Sequence, residues 1–170
     1  MRRLIFAFCC TASTLAAQST RARIGLPGFK DMFPIEDVTV SYELNAPIGR
    51  SYAAVKAAFD ELKVPVRVDD SSGGIIGNLK VSARTNFAGY RLPRVLDCGM
   101  SNLGQNADSF RVTLAFLALL DPVDASHTKL RVGFVAGAEP LSGPSRNAVS
   151  CGSTGVIEAK LVELASKNLK

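Results

Sequence analysis

The chain has 170 residues, a formal net charge of +5, 47% hydrophobic residues, 7% aromatic residues and no tryptophan. That hydrophobic content is enough for a buried core and excludes an intrinsically disordered chain. The mild charge excludes the dense basic character of a nucleic-acid binder, and the sparse aromatics argue against stacking platforms for sugars or single strands.

Arg2 and Arg3 precede an uncharged, mostly apolar run over 4–17. Its length suits the hydrophobic segment of a signal peptide and falls short of a comfortable bilayer span. Thr14-Leu15-Ala16 and Ala17-Gln18-Ser19 both offer small residues for cleavage. The second clears the whole apolar run, so 1–19 reads as a cleaved signal peptide. Phe8 stands before Cys9 where a lipoprotein would need a small residue, so no lipid anchor is expected. The longest remaining apolar block, 112–120, is bracketed by Arg111 and Asp121, and no second span is expected. No Asn-x-Ser/Thr acceptor occurs. The expected product is a periplasmic or secreted single domain of about 150 residues. Loss of the two leader arginines lowers its charge to +3.

Residues 20–36 carry Gly25, Pro27, Gly28 and Pro34, show no period and read as a flexible linker, with the domain spanning 37–170. Val38, Val40, Tyr42 and Leu44 alternate with polar residues as a half-buried strand. Tyr52, Val55, Phe59 and Leu62 give one apolar stripe to a helix over 48–63. Pro65 closes it. Val64, Val66 and Val68 form a second strand, and 69–74 is strong turn chemistry. The third strand, 75–85, places Leu79, Val81 and Ala83 on one face. Residues 86–106 are irregular. A fourth strand over 107–120 aligns Phe110, Val112, Leu114 and Phe116, and a fifth aligns Leu130, Val132, Phe134 and Ala136. A Pro/Gly/Ser/Asn-rich loop covers 139–150. The last helix, 153–168, buries Ile157, Leu161, Leu164 and Ala165, with Ser153 or Thr154 as its cap. Glu163 and Lys167 stand in the favourable i,i+4 order.

The order β-α-β-β-β-β-α predicts an α+β two-layer sandwich, an antiparallel sheet of about five strands with both helices on one face. With the export signal, this order over Asp37 to Leu169 resembles the helix-grip domains of envelope lipoproteins, such as the C component of the outer-membrane assembly machine. The resemblance implies a bacterial envelope location. It carries no functional residue across, and the lipidated cysteine of that group is missing here.

Cys98 and Cys151 are the two cysteines left after the leader. In an exported domain they read as a structural disulfide. The alternative is a reactive thiol at Cys151, ahead of a helix, but the Cys-x-x-Cys spacing of redox sites is absent. His127 is the single histidine and lies in a turn with Asp124 and Ser126. No nucleophile elbow, zinc-ligand spacing or phosphate-binding loop is present, so no cofactor, metal or enzyme activity is expected. Asp69 and Asp70 offer weak cation chemistry that a turn equally explains.

The sheet face turned away from the helices is predicted to carry Thr39, Ser41, Glu43, Asp69, Asn78, Ser82 and Thr113 among six cations: Arg67, Lys80, Arg84, Arg111, Lys129 and Arg131. Solvated, it would attract an anionic envelope component or protein partner. The expected function is therefore a non-enzymatic binding domain. The alternative is a carrier holding a small apolar ligand between sheet and helix, where Ala53, Ala54, Ala57 and Ala58 thin the first helix. A hydrolase or redox enzyme would need a cleft joining His127 or Cys151 to a carboxylate.

Overall fold

The computed structural model describes residues 21–102, 104–141 and 147–170; the signal-peptide reading, with Cys9 and Cys10, lies outside them. The chain begins with a short hairpin, β1 (Arg23–Ile24) and β2 (Phe33–Pro34), and a 3-10 turn at Ile35–Val38. Next come β3 (Thr39–Leu44), α1 (Ile48–Glu61), β4 (Val68–Asp70) and β5 (Ile75–Ala83). The region expected to be irregular holds small elements: the hairpin β6 (Asn86–Phe87) and β7 (Tyr90–Arg91), the single turn α2 (Leu92–Val95), and β8 (Leu96–Asp97). A second hairpin, β9 (Met100–Ser101) and β10 (Gly104–Gln105), precedes the single turn α3 (Asn106–Ser109). The long strands β11 (Arg111–Pro122) and β12 (Thr128–Glu139) follow, then β13 (Val149–Ser153) and α4 (Val156–Asn168).

Seven strands form one antiparallel sheet in the order β4-β5-β11-β12-β13-β8, with β3 also paired to β12. The α+β layering matches the alternation. Val112, Leu114 and Phe116 of β11 share a core with Val132 and Phe134 of β12, Val55 and Phe59 of α1, and Ile157 and Leu161 of α4. Two strands exceed the expectation. β13 falls partly in the predicted loop, and β8 in the irregular region. Neither segment has a strand-like pattern of its own; pairing to a neighbour imposes the extended form.

The first correction concerns 21–36, which is no linker. Ala22, Ile24, Leu26 and Ile35 are buried against Ala115, Leu117, Leu119 and Val135 on the sheet face opposite the helices. Each large apolar side chain buried this way contributes about 1.5–3 kcal/mol. Phe29 stacks on Phe33 with ring centroids 4.5 Å apart, closing the rim of this second core. Asp121 of β11 ties down the start of the segment through ion pairs with Arg21 and, at 2.9 Å, with Arg131. The backbone N–H of Arg21 also donates to Glu36 at 2.8 Å.

The second correction concerns facing. A bulge between Leu114 and Phe116 on the β11–β5 ladder shifts the phase of β5. Val81 and Ala83 face the helix side, as predicted, but Leu79 packs on the opposite core. Asn78 belongs to the helix face, paired across from Phe116, rather than to the solvated face. Its side chain donates to the Pro65 carbonyl at 2.7 Å and accepts from the Lys80 N–H at 2.9 Å, which pins the bulge. Strand β4 begins only at Val68, after Pro65, and its facing is also reversed. Val68 joins the second core, and Asp69 turns toward α1.

The third correction is local to α4. Gly155, at φ +81°, is its N-cap residue; the Ser153 hydroxyl accepts the Gly155 N–H, and the Thr154 hydroxyl donates to the Arg94 carbonyl. Glu163 pairs with Lys160 at 2.7 Å, while Lys167 reaches Glu61 of α1 at 3.3 Å. No described helix is long and apolar enough to cross a membrane.

Candidate functional site

Cys98 and Cys151 are bonded, with Cα atoms 4.1 Å apart. Gly152 pairs with Asp97 and Ser153 with Leu96, so Cys151, inside β13 rather than in a loop, stands across from Cys98, the residue that follows β8. Both are buried. The bridge joins positions 53 residues apart. Chain entropy alone gives such a bridge about 4 kcal/mol. Cys151 lies inside a strand, away from the first turn of α4, and so lacks the helix-dipole activation a reactive thiol would need.

The six predicted cations do not form one open face. The N-terminal segment covers the middle of it, and the register divides the cations between the two ends. At one end, Lys129 stands between Glu43 and Asp121 on its flanking strands, and Arg131 is held by Asp121. Burial pushes the Asp121 carboxyl up. The hydrogen bonds and charges of Arg21 and Arg131 outweigh that and hold it below its ordinary value. Arg67 is exposed just ahead of β4. At the other end, Ser82 pairs with Thr113 and Ala83 with Val112. One step further, the same register brings Arg84 beside Arg111, with Lys80 two positions behind Ser82. All three cations are exposed, and no ion pair engages them among the described residues.

Arg91 and Arg94, which share with Lys80 and Arg84 the stretch 71–96 that holds no Asp or Glu, line a groove of about 540 Å³ with Tyr90, Gln105 and Asp108. Both are already engaged. Arg94 sits 5.3 Å over the Tyr90 ring, and Arg91 pairs with Asp108 at 2.8 Å.

His127 makes contacts that superficially suggest a catalytic relay. Its Nδ1 lies 2.8 Å from Asp124 and 3.1 Å from the Ser126 hydroxyl. A relay needs carboxylate and nucleophile on opposite ring nitrogens; here both meet the same one. Asp124 also accepts the backbone N–H groups of Ser126 and His127. Its carboxyl is lowered to about 2, first by the Ser126 backbone and then by the His127 and Ser126 side chains. These residues lock the turn between β11 and β12. Asp69 and Asp70 are likewise committed: Asp69 to Tyr52 and Lys56, Asp70 to the turn at Ser72 and Gly73. Among the described residues no cluster of His, Cys, Asp or Glu could hold a metal ion.

The space between sheet and α1, where a carrier would keep its ligand, is occupied by aromatic rings. Phe116 lies 5.1 Å from Phe59, 5.8 Å from Phe87 and 5.4 Å from Phe134, centroid to centroid.

One recess was not foreseen. Strand β12 has two partners on the same edge: β3 pairs with it up to Gly133, and β13 from Ala136. Phe134 and Val135 lie in the gap. The resulting notch, of about 460 Å³, is lined by both residues together with Phe29, Val38, Val40, Cys151, the 152–155 segment and Glu158. Val38 and Val40 are 39% and 47% exposed, while Glu158 is only 2% exposed. Among the described residues Glu158 Oε2 has no hydrogen-bond partner. Burial first, and then the Glu158 charge, push the Tyr42 phenol above its ordinary value. In the sequence Glu158 reads only as an acid in the first turn of a helix. Its isolation depends on a sheet register that the sequence does not display.

Comparison with protein-family models, with curated proteins and with solved structures finds no match.

Proposed function

We propose that the chain is an exported, non-enzymatic binding domain of the bacterial envelope that holds an anionic partner at one end of its sheet. The observation that carries this reading is the convergence of Lys80, Arg84 and Arg111. The Ala83–Val112 register sets Arg84 beside Arg111; Glu139 stands across from Arg111 on β12, but no ion pair engages either arginine among the described residues. Like charges facing one another across a ladder are destabilising. An arrangement that costs stability fits an external anion as its counter-charge. The exposed Ser82 supplies a hydroxyl donor between the cations.

The disulfide supports export, because such bonds persist in oxidising compartments. The apolar leader of the sequence supports it as well. The aromatic filling of the core weighs against the carrier alternative, and the shared nitrogen of His127 against hydrolysis.

The test is equilibrium binding to anionic vesicles and to polyglutamate. The variant Lys80→Glu/Arg84→Glu/Arg111→Glu should lose binding to the anionic probe, and added salt should weaken the wild type. The control Lys30→Glu/Arg67→Glu/Lys129→Glu, with the same change in charge, should bind almost as well as wild type. Equal loss in both variants would reduce the effect to net charge and defeat the assignment.

A further inference from the structure

The notch between β3 and β13 lies apart from the three cations. Its chemistry is the opposite of theirs. Glu158 is buried, yet Oε2 accepts no hydrogen bond among the described residues. Leaving a charged acceptor unsatisfied in a low dielectric is costly. Glu158 is the third residue of α4, the position from which a capping-box glutamate accepts the N-cap N–H. Here that N–H is taken by Ser153, so the cap does not use the carboxylate. No basic side chain is among the described residues lining the notch. The walls beside the carboxylate are apolar: Val38, Val40 and Phe134.

We propose that the notch is a binding site for an organic cation, an ammonium or guanidinium on an alkyl stem, with Glu158 as its counter-ion. The charged head donates to Glu158, and the stem lies along Val38 and Val40. Both valines would lose exposed surface on binding, which favours the bound state at about 25 cal/mol per Å². The notch volume is within the usual range for small-ligand sites, about 300–1,000 Å³. An anion is disfavoured by the carboxylate. A neutral ligand of the same shape forgoes the charge-assisted hydrogen bond.

Two sources supply this chemistry: a free alkylamine, and a lysine or arginine side chain of an extended peptide. The test is calorimetric titration of the oxidised protein with butylammonium, butylguanidinium, a lysine-containing tripeptide, butanol and butyrate. Butylammonium or butylguanidinium should bind at least about tenfold more tightly than butanol, the size expected for one charge-assisted hydrogen bond. Butyrate should not bind. Glu158→Gln keeps the shape, and it should abolish that preference while leaving the far-ultraviolet spectrum and the disulfide intact. Val40→Lys brings an ammonium of its own and should block the site. Binding of the free cations assigns a small amine; binding of the tripeptide alone assigns a protein side chain. Failure of all the cationic probes, or a cation preference unchanged in Glu158→Gln, overturns the proposal.

Discussion

Gly137 of β12 lies directly beneath the carbonyl of Pro27, so closely that a methyl group at Gly137 would collide with the Pro27 backbone. Gly133, further along the same strand, gives the same room to the side chain of Ile35. These two close approaches fix the N-terminal segment across the sheet. Gly137→Ala should therefore destabilise the protein by about 1–3 kcal/mol, the usual cost of overpacking a filled site. Limited proteolysis should show new cleavage within 21–36 in this variant. Unchanged stability and protection would mean that the segment is not held on the sheet.

Ile35 is fully buried in that second core. Ile35→Ala should cost about 2–5 kcal/mol in urea denaturation, as for other buried large-to-alanine changes. A flexible linker would show no change.

Both faces of this sheet could have been anticipated from two patterns. Every residue from Val112 to Leu120 is buried, and all but Thr113 are apolar. A strand covered on one side alternates, whereas an unbroken apolar run is the mark of cover on both sides. The cover itself is written as Ala22, Ile24 and Leu26, apolar at every second position between Arg21, Arg23 and Gly25. Other features had no local signal. The phase shift in β5 needs the register with β11, and β13 is extended because β12 and β8 pair with it on either side. The cations were identifiable by residue type, but their division between two ends of the sheet depends on the same registers. Glu158 was visible as a helix acid; the gap that isolates it is created by two strands distant in sequence.

The disulfide should be worth about 4 kcal/mol at most, from the entropy of the loop it closes. The double variant Cys98→Ala/Cys151→Ala should unfold at correspondingly lower urea concentration. Reductant should shift the wild type toward the same midpoint and leave the variant where it is. A reductant-insensitive wild type would contradict a stapling role.

Tyr52 donates to Asp69 at 2.8 Å, and Lys56 donates to the other oxygen of the same carboxylate at 2.6 Å. This clamp joins α1 to the edge strand β4. Burial, and then the bond to Asp69, push the Tyr52 phenol far above its ordinary value. Tyr52→Phe should cost about 1 kcal/mol, because Asp69 is partly solvated and keeps Lys56. Hydrogen exchange at β4 should accelerate in this variant, and an unchanged rate would place the clamp outside the stability of that edge.

The Asp121 carboxyl is lowered in the folded protein by Arg21 and Arg131, despite a burial penalty. In the unfolded chain it titrates near about 3.9. The unfolded state therefore takes up the proton first as pH falls. The Asp121 contribution is full above that value and is lost as pH drops through the folded pKa. The stability difference between wild type and Asp121→Asn should be largest near neutral pH and shrink as pH falls below the ordinary carboxylate range. A difference that does not change with pH would show that ion pairing is not its source.

Lys80, Arg84 and Arg111 are proposed to hold an anionic partner. The most direct test is an amide chemical-shift titration of the oxidised protein with short polyglutamate. The account predicts saturable shifts centred on Lys80, Ser82, Arg84, Arg111 and Thr113, reduced by salt. Shifts confined to the Arg91–Arg94 groove, spread evenly over all exposed cations, or absent altogether would contradict it.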